Sequence, residues 1–133
     1  MTDEKRMFYL RLALRIIGTF LVLGVYPLMN WLWPAGWAWE PRQTEYEQMI
    51  AGVYATLGVF LVLAARNPLE HLSLIRFTIW SSIVHGGIMA VQAGHDHAER
   101  ANLIGDVPAL FTVAILLWWL LPRGQSGRAA ASG

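Results

Sequence analysis

Apolar residues run almost unbroken through four stretches, Leu12–Trp33, Tyr46–Ala65, Leu72–Ala93 and Leu103–Leu121, and charged residues gather between them. Each stretch is close to the ~20 residues a helix needs to cross a hydrocarbon core about 30 Å thick. Inside lipid no water satisfies backbone N–H and C=O groups, so continuous apolar runs of this length must close their hydrogen bonds as helices. The pattern predicts an all-α integral membrane protein: an antiparallel four-helix transmembrane bundle forming a single membrane domain over residues 1–133. The small, polar segment 125–133 is predicted to be a disordered tail. The basic start, Met1–Arg15, resembles a signal peptide. The apolar run after it is too long for one, however, and leads to Trp31, Leu32, Trp33 and Pro34 rather than a small-residue cleavage site. It reads as a retained first span.

Charge then orients the spans. Lys5, Arg6, Arg11 and Arg15 flank the first span, Arg66 and Arg76 bracket the turn between the second and third, and Arg123 and Arg128 follow the fourth. Only Arg42 and Arg100 lie in the two opposite connections. Basic residues are retained on the cytoplasmic side, so this eight-to-two division predicts both termini in the cytoplasm. The localisation that follows is the bacterial inner membrane, crossed in multiple passes. The opposite connections carry Glu40, Glu45, Glu47, Asp96 and Glu99, and the first holds Trp31, Trp33, Trp37 and Trp39 as an aromatic belt at the outer interface. Arg66-Asn67-Pro68 predicts a tight inner turn that makes spans two and three an antiparallel hairpin.

Composition narrows the chemistry. The chain has no cysteine, which removes disulfides, thiolate metal sites, C-x-x-C-H haem attachment and cysteine nucleophiles. Neither a basic patch nor a glycine-rich phosphate loop is present, so nucleic acid is not an expected partner. Gly18, Gly24, Gly52, Gly58, Gly86 and Gly87 lie inside spans, where small residues let helices approach closely.

Ionisable and polar groups inside spans are costly and each requires an account. His85 lies about 12 Å from the outer end of span three at 1.5 Å per residue, on one helical face with Thr78, Ser81, Met89 and Gln92. Asp106 allows two readings. It caps a short helix beginning at Val107, or it lies about 9 Å inside a helix that starts near Arg100. Tyr54 falls about 12 Å into span two and Tyr26 about 10 Å below Trp33. His85, Asp106, Tyr54, Tyr26, Gln92 and Ser81 thereby form a candidate polar layer. Such a layer either holds a ligand or serves as interhelical glue, worth about 1 kcal/mol per hydrogen bond. A His–Asp pair suits metal, haem or proton chemistry, and tyrosine hydroxyls suit a quinone or carbonyl oxygen. Ser81 and His85 stand at i, i+4, but no G-x-S-x-G elbow accompanies them, so a hydrolase is not indicated. In the second outer connection His95, Asp96 and His97 are candidate metal ligands, although the two imidazoles alone do not close a four-coordinate site.

The segments Asn67-Pro68-Leu69-Glu70-His71, Ser73 to Thr78, Trp80 to His85, Met89 to Gln92 and Leu103 to Leu110 resemble a family of small bacterial four-span membrane proteins of unknown function. The resemblance covers the C-terminal half and implies an uncharacterised membrane protein, with no activity to carry over. The span count alone is similar to that of DoxX-like four-helix proteins. Three function classes stay open. One is a binding or accessory protein that takes a small hydrophobic ligand or other membrane subunits. The second is a membrane redox enzyme or cofactor-binding subunit (quinone, haem or metal). The third is a structural assembly subunit, with homo-oligomers as one form.

Overall fold

The computed structural model describes residues 1–122. Arg123, Arg128 and the tail predicted at 125–133 lie outside the described residues. Within them the chain is helical throughout: α1 Asp3–Leu23, α2 Val25–Pro27, a π-helical turn Leu28–Leu32, α3 Pro34–Trp37, α4 Thr44–Ala64, a 3-10 turn Pro68–His71, α5 Leu72–His95, a 3-10 segment His97–Leu103 and α6 Asp106–Leu120. Thr44–Ala64, Pro68–His95 and His97–Leu120 are long and apolar enough to cross a membrane. Asp3–Leu23 with Val25–Leu32 makes a fourth if the bent pair is counted as one span. The outward faces are apolar: Phe8, Ile16, Val53, Phe60, Phe77, Trp80, Val84 and Ile115 are all exposed. So large an unbroken apolar exterior suits lipid rather than water.

The first span departs from its predicted limits at both ends. Helix α1 starts nine residues before the apolar run because Thr2 caps it, its Oγ1 accepting from Lys5 N at 3.4 Å, with Asp3 and Glu4 in the positive first turn. It then breaks at Gly24 and bends by 47°. Pro27 has no N–H to give the carbonyl of Leu23, and glycine tolerates the interruption. Beyond the bend the ladder loosens, Trp33 N donating to Leu28 O at 3.1 Å, five residues back. The fourth span also differs from both of its readings. Asp106 is the first residue of α6, and Arg100 belongs to a 3-10 segment rather than to the same α-helix.

Leu10, Ala13, Leu14 and Ile17 of α1 meet Leu61 of α4, Ile75 and Ile79 of α5, and Ala114, Leu117 and Leu120 of α6 in one buried core. Helix α1 supplies residues at the i, i+3, i+4, i+7 spacing of a single face. The pairing of helices follows the small residues. A Cβ on Gly18 would lie 2.6 Å from the carbonyl of Gly58, so α1 and α4 cross backbone to backbone there. Gly86 of α5 receives Leu110 and Phe111 of α6. Gly52 and Gly87, by contrast, face open space and assist no approach. The consequence corrects one expectation. Although α4 and α5 follow one another across a tight turn, α4 packs chiefly on α1 and α5 on α6, and the two share little packing of their own.

Alanine at Gly58 must therefore force α1 and α4 apart, a cost of about 1–3 kcal/mol for overpacking. Alanine at Gly52 on the same helix should be neutral or gain up to about 1 kcal/mol of helix propensity. Unfolding of the two variants in detergent measures the contrast, and an unchanged midpoint for Gly58→Ala would exclude the close crossing.

Candidate functional site

Because α4 and α5 stand apart, space remains between the helix pairs, and it is closed at one end by the connections Gly24–Gln43 and Asp96–Gly105. The result is a cavity of about 360 Å³, within the range of small-molecule sites. Phe20, Leu21, Val25 and Met29 from the first bent helix form one wall. The other long helices each contribute a face at i, i+3 or i+4, and i+7. On α4 these are Glu47, Ile50 and Tyr54, on α5 His85, Met89 and Gln92, and on α6 Asp106, Leu110 and Val113. Tyr46 and Ile50 of α4 and Ile88 of α5 line the cavity yet are exposed, so its mouth lies along the α4–α5 seam.

The connections form a roof over this space, and hydrogen bonds hold it in place. Glu99 is 1% exposed; its Oε1 accepts from Glu40 N at 2.6 Å and its Oε2 from Asn102 Nδ2 at 2.7 Å. Arg42 grips Glu47 with both nitrogens, Nε at 2.7 Å and Nη2 at 2.6 Å, and also donates to Asn30 Oδ1 at 3.1 Å. Bonding to Glu47 holds the Arg42 guanidinium above its ordinary pKa. Gly36 and Gly105 pass so closely that a Cβ on Gly105 would collide with the Gly36 carbonyl. Trp37 of α3 packs edge-on against Phe20, ring centres 5.8 Å apart. Glu99 thus ties the two connections to each other, while the Arg42–Glu47 bonds and the Trp37–Phe20 contact join the roof to the helices.

Of the sequence-predicted layer, the structure brings together Tyr54, His85, Asp106 and Gln92, all lining the cavity. The Tyr54 hydroxyl and His85 Nδ1 are hydrogen bonded, the hydroxyl donating when Nε2 carries the ring proton, and their rings are stacked, 5.8 Å between centres and 5° from parallel. This is the partner His85 takes; among the described residues it has no hydrogen bond to Asp106. Asp106 is 8% exposed and its Oδ1 has no partner. Tyr26 and Ser81 are not brought in. The 47° bend breaks the straight-helix count that placed Tyr26 in the layer. Its ring stands exposed against Trp31, and only its backbone oxygen is engaged, by Asn30 Nδ2 at 3.0 Å. Ser81 Oγ donates to the carbonyl of Thr78 at 3.2 Å, satisfied within its own helix.

Two of the metal candidates form hydrogen bonds at helix ends. His95 Nδ1 meets the Val91 carbonyl at 2.8 Å near the end of α5, and Asp96 Oδ1 accepts from Ala98 N at 2.9 Å, capping the next segment. His95, Asp96 and His97 are all exposed, and among the described residues no group of three or more histidines and carboxylates is placed to hold a metal ion. A metal site therefore needs more than this connection provides.

Residues 5–131 match the family of unknown function DUF6632. The chain belongs to that family. No curated protein and no solved structure matches it. The DUF6632 match extends beyond the C-terminal half in which the resemblance was legible, and reaches the cavity-lining residues of α1 and α4. In this DUF6632 chain Glu47, Glu99, Asn102 and the roof are the parts of the site that sequence reasoning missed. Glu47 had a signal, standing at i, i+3, i+7 with Ile50 and Tyr54. Glu99 and Asn102 had none, since their burial depends on a segment about 60 residues away.

The Tyr54–His85 bond bridges the two helices that otherwise barely pack. In a double-mutant cycle, Tyr54→Phe and His85→Ala are expected to be non-additive by about 0.6–1.7 kcal/mol, the range for such bonds between membrane helices. Additive unfolding energies would show that the two residues act independently.

Proposed function

We propose that this protein is a multi-pass protein of the bacterial inner membrane, an antiparallel four-helix transmembrane bundle with both termini cytoplasmic, whose cavity binds a small and mostly apolar molecule. The cavity itself carries the reading. It is walled by all four long helices, is overwhelmingly apolar, and holds a few convergent polar groups at Tyr54, His85, Gln92 and Asp106, the composition expected of a small-molecule site. Glue alone accounts for the Tyr54–His85 bond; it leaves unexplained why, among the described residues, Asp106 Oδ1 has no partner beside open space. The mouth along the α4–α5 seam is rimmed by Ile50 and Ile88, so a membrane-soluble molecule reaches it from the bilayer without crossing water. A binding or accessory role follows directly, and no step of chemistry is required of the residues present.

A photoreactive alkyl diazirine alcohol, activated with the protein in zwitterionic nanodiscs, is expected to label saturably the segments around Ile50, Met89 and Leu110. Ala109→Phe, which fills the cavity, is expected to abolish the saturable labelling while the protein keeps its melting temperature. Labelling that rises linearly with probe, or that Ala109→Phe leaves intact, would overturn the reading.

Orientation is tested separately, and the absence of native cysteine makes that simple. In spheroplasts a membrane-impermeant maleimide should reach Asp96→Cys at once and Thr2→Cys only after permeabilisation. The opposite order would invert the proposed topology.

A further inference from the structure

We infer that the cavity selects a ligand whose head group is cationic and carries N–H donors, an aliphatic ammonium, over an anionic ligand with the same tail. The inference rests on the ligand-binding reading above and goes further by fixing the sign of the charge.

Three carboxylates are buried at the roofed end: Glu47, Glu99 and Asp106, respectively 7%, 1% and 8% exposed. A buried carboxylate is retained only with hydrogen-bonding or charged partners. Glu47 has its partner in Arg42, the sole salt bridge among the described residues. Glu99 has both oxygens occupied by neutral donors, Glu40 N and Asn102 Nδ2. Asp106 is the exception. It lines the cavity, it is more than nine-tenths buried, and its Oδ1 has no partner.

The groups around it settle what is missing. Among the described residues no lysine or arginine lines the cavity, and Arg42 of the roof is spent on Glu47 and Asn30. Tyr54 and His85 are engaged with each other. Among the described residues that line the cavity, the buried acceptor left without a partner is Asp106 Oδ1. A carboxylate or phosphate head would bring negative charge against Asp106 with no lysine or arginine among the described lining residues to offset it, an arrangement low-dielectric surroundings penalise heavily. An ammonium head instead supplies the donor Asp106 lacks. The aromatic rings of Phe20, Trp37 and Tyr46, which line the same space, offer a cation their negative faces.

The test uses three photoreactive diazirine probes of equal chain length, ending in a primary ammonium, a hydroxyl or a carboxylate, with the protein in zwitterionic nanodiscs. The ammonium probe is expected to reach half-maximal saturable labelling at a concentration about tenfold or more below that of the carboxylate probe, as a desolvated charge pair requires. Asp106→Asn is expected to remove the gap between the ammonium and hydroxyl probes, and an unchanged melting temperature reports that the variant keeps its fold. Equal labelling by ammonium and carboxylate probes in the unmodified protein would overturn the inference without any variant. So would an ammonium preference that survives Asp106→Asn. Saturable labelling by the hydroxyl probe with no ranking by charge would leave the ligand-binding reading standing and remove only the head-group selection. Failure of all three probes to label saturably would remove both.

Discussion

Where α1 crosses α4, Gly18 and Gly58 face each other with no room for a Cβ on either, and the placement of the remaining helices follows from that approach. Helices surrounded by lipid gain nothing by hiding apolar side chains from one another, so association depends on how closely two backbones fit. The glycine crossing draws α4 onto α1, and Gly86 draws α5 onto α6. Two tight pairs result, joined through the shared core of Leu14, Leu61, Ile79 and Leu117. The seam between α4 and α5 is left with little packing. A cavity exists because the strong fits are elsewhere.

The bend at Gly24 decides what kind of cavity it is. Loss of the Pro27 N–H releases the helix from a straight course and turns Met29 and Val25 toward the open space while Tyr26 faces outward. The chain then returns over the opening as the roof. Its polar groups sit at low dielectric, where every donor or acceptor left unmade is expensive. Glu99 meets part of that demand by tying the two connections together, and the Arg42–Glu47 pair fixes the roof to the start of α4. Among the described residues few buried polar atoms are left without a partner, and Asp106 Oδ1 is the one that lines the cavity.

Much of this was legible in the order of residues. Four apolar stretches of spanning length gave the all-helical architecture, because backbone hydrogen bonding in long apolar runs leaves few alternatives. Counting along helices also placed Tyr54, His85 and Asp106 near one depth, and all three line the cavity. The same count failed for Tyr26, where a proline three residues past a glycine invalidates a straight-helix rise. It failed for Ser81, whose hydroxyl is satisfied by its own helix. His95 and Asp96, suggestive as neighbouring ligands, are engaged at helix ends, a use no spacing rule distinguishes from metal binding.

The sequence by itself determined periodicity and length: helices, their approximate limits, and which polar residues share a face. These are properties of one helix at a time, set by 1.5 Å of rise and 3.6 residues per turn. Only the tertiary structure decided which helices pair, that Tyr54 rather than Asp106 takes His85, and that Glu99 is buried beneath a segment about 60 residues distant. Those outcomes depend on fit between surfaces far apart in the chain. A Cβ more or less at Gly18, or a missing N–H at Pro27, shifts them without disturbing the hydrophobic pattern at all.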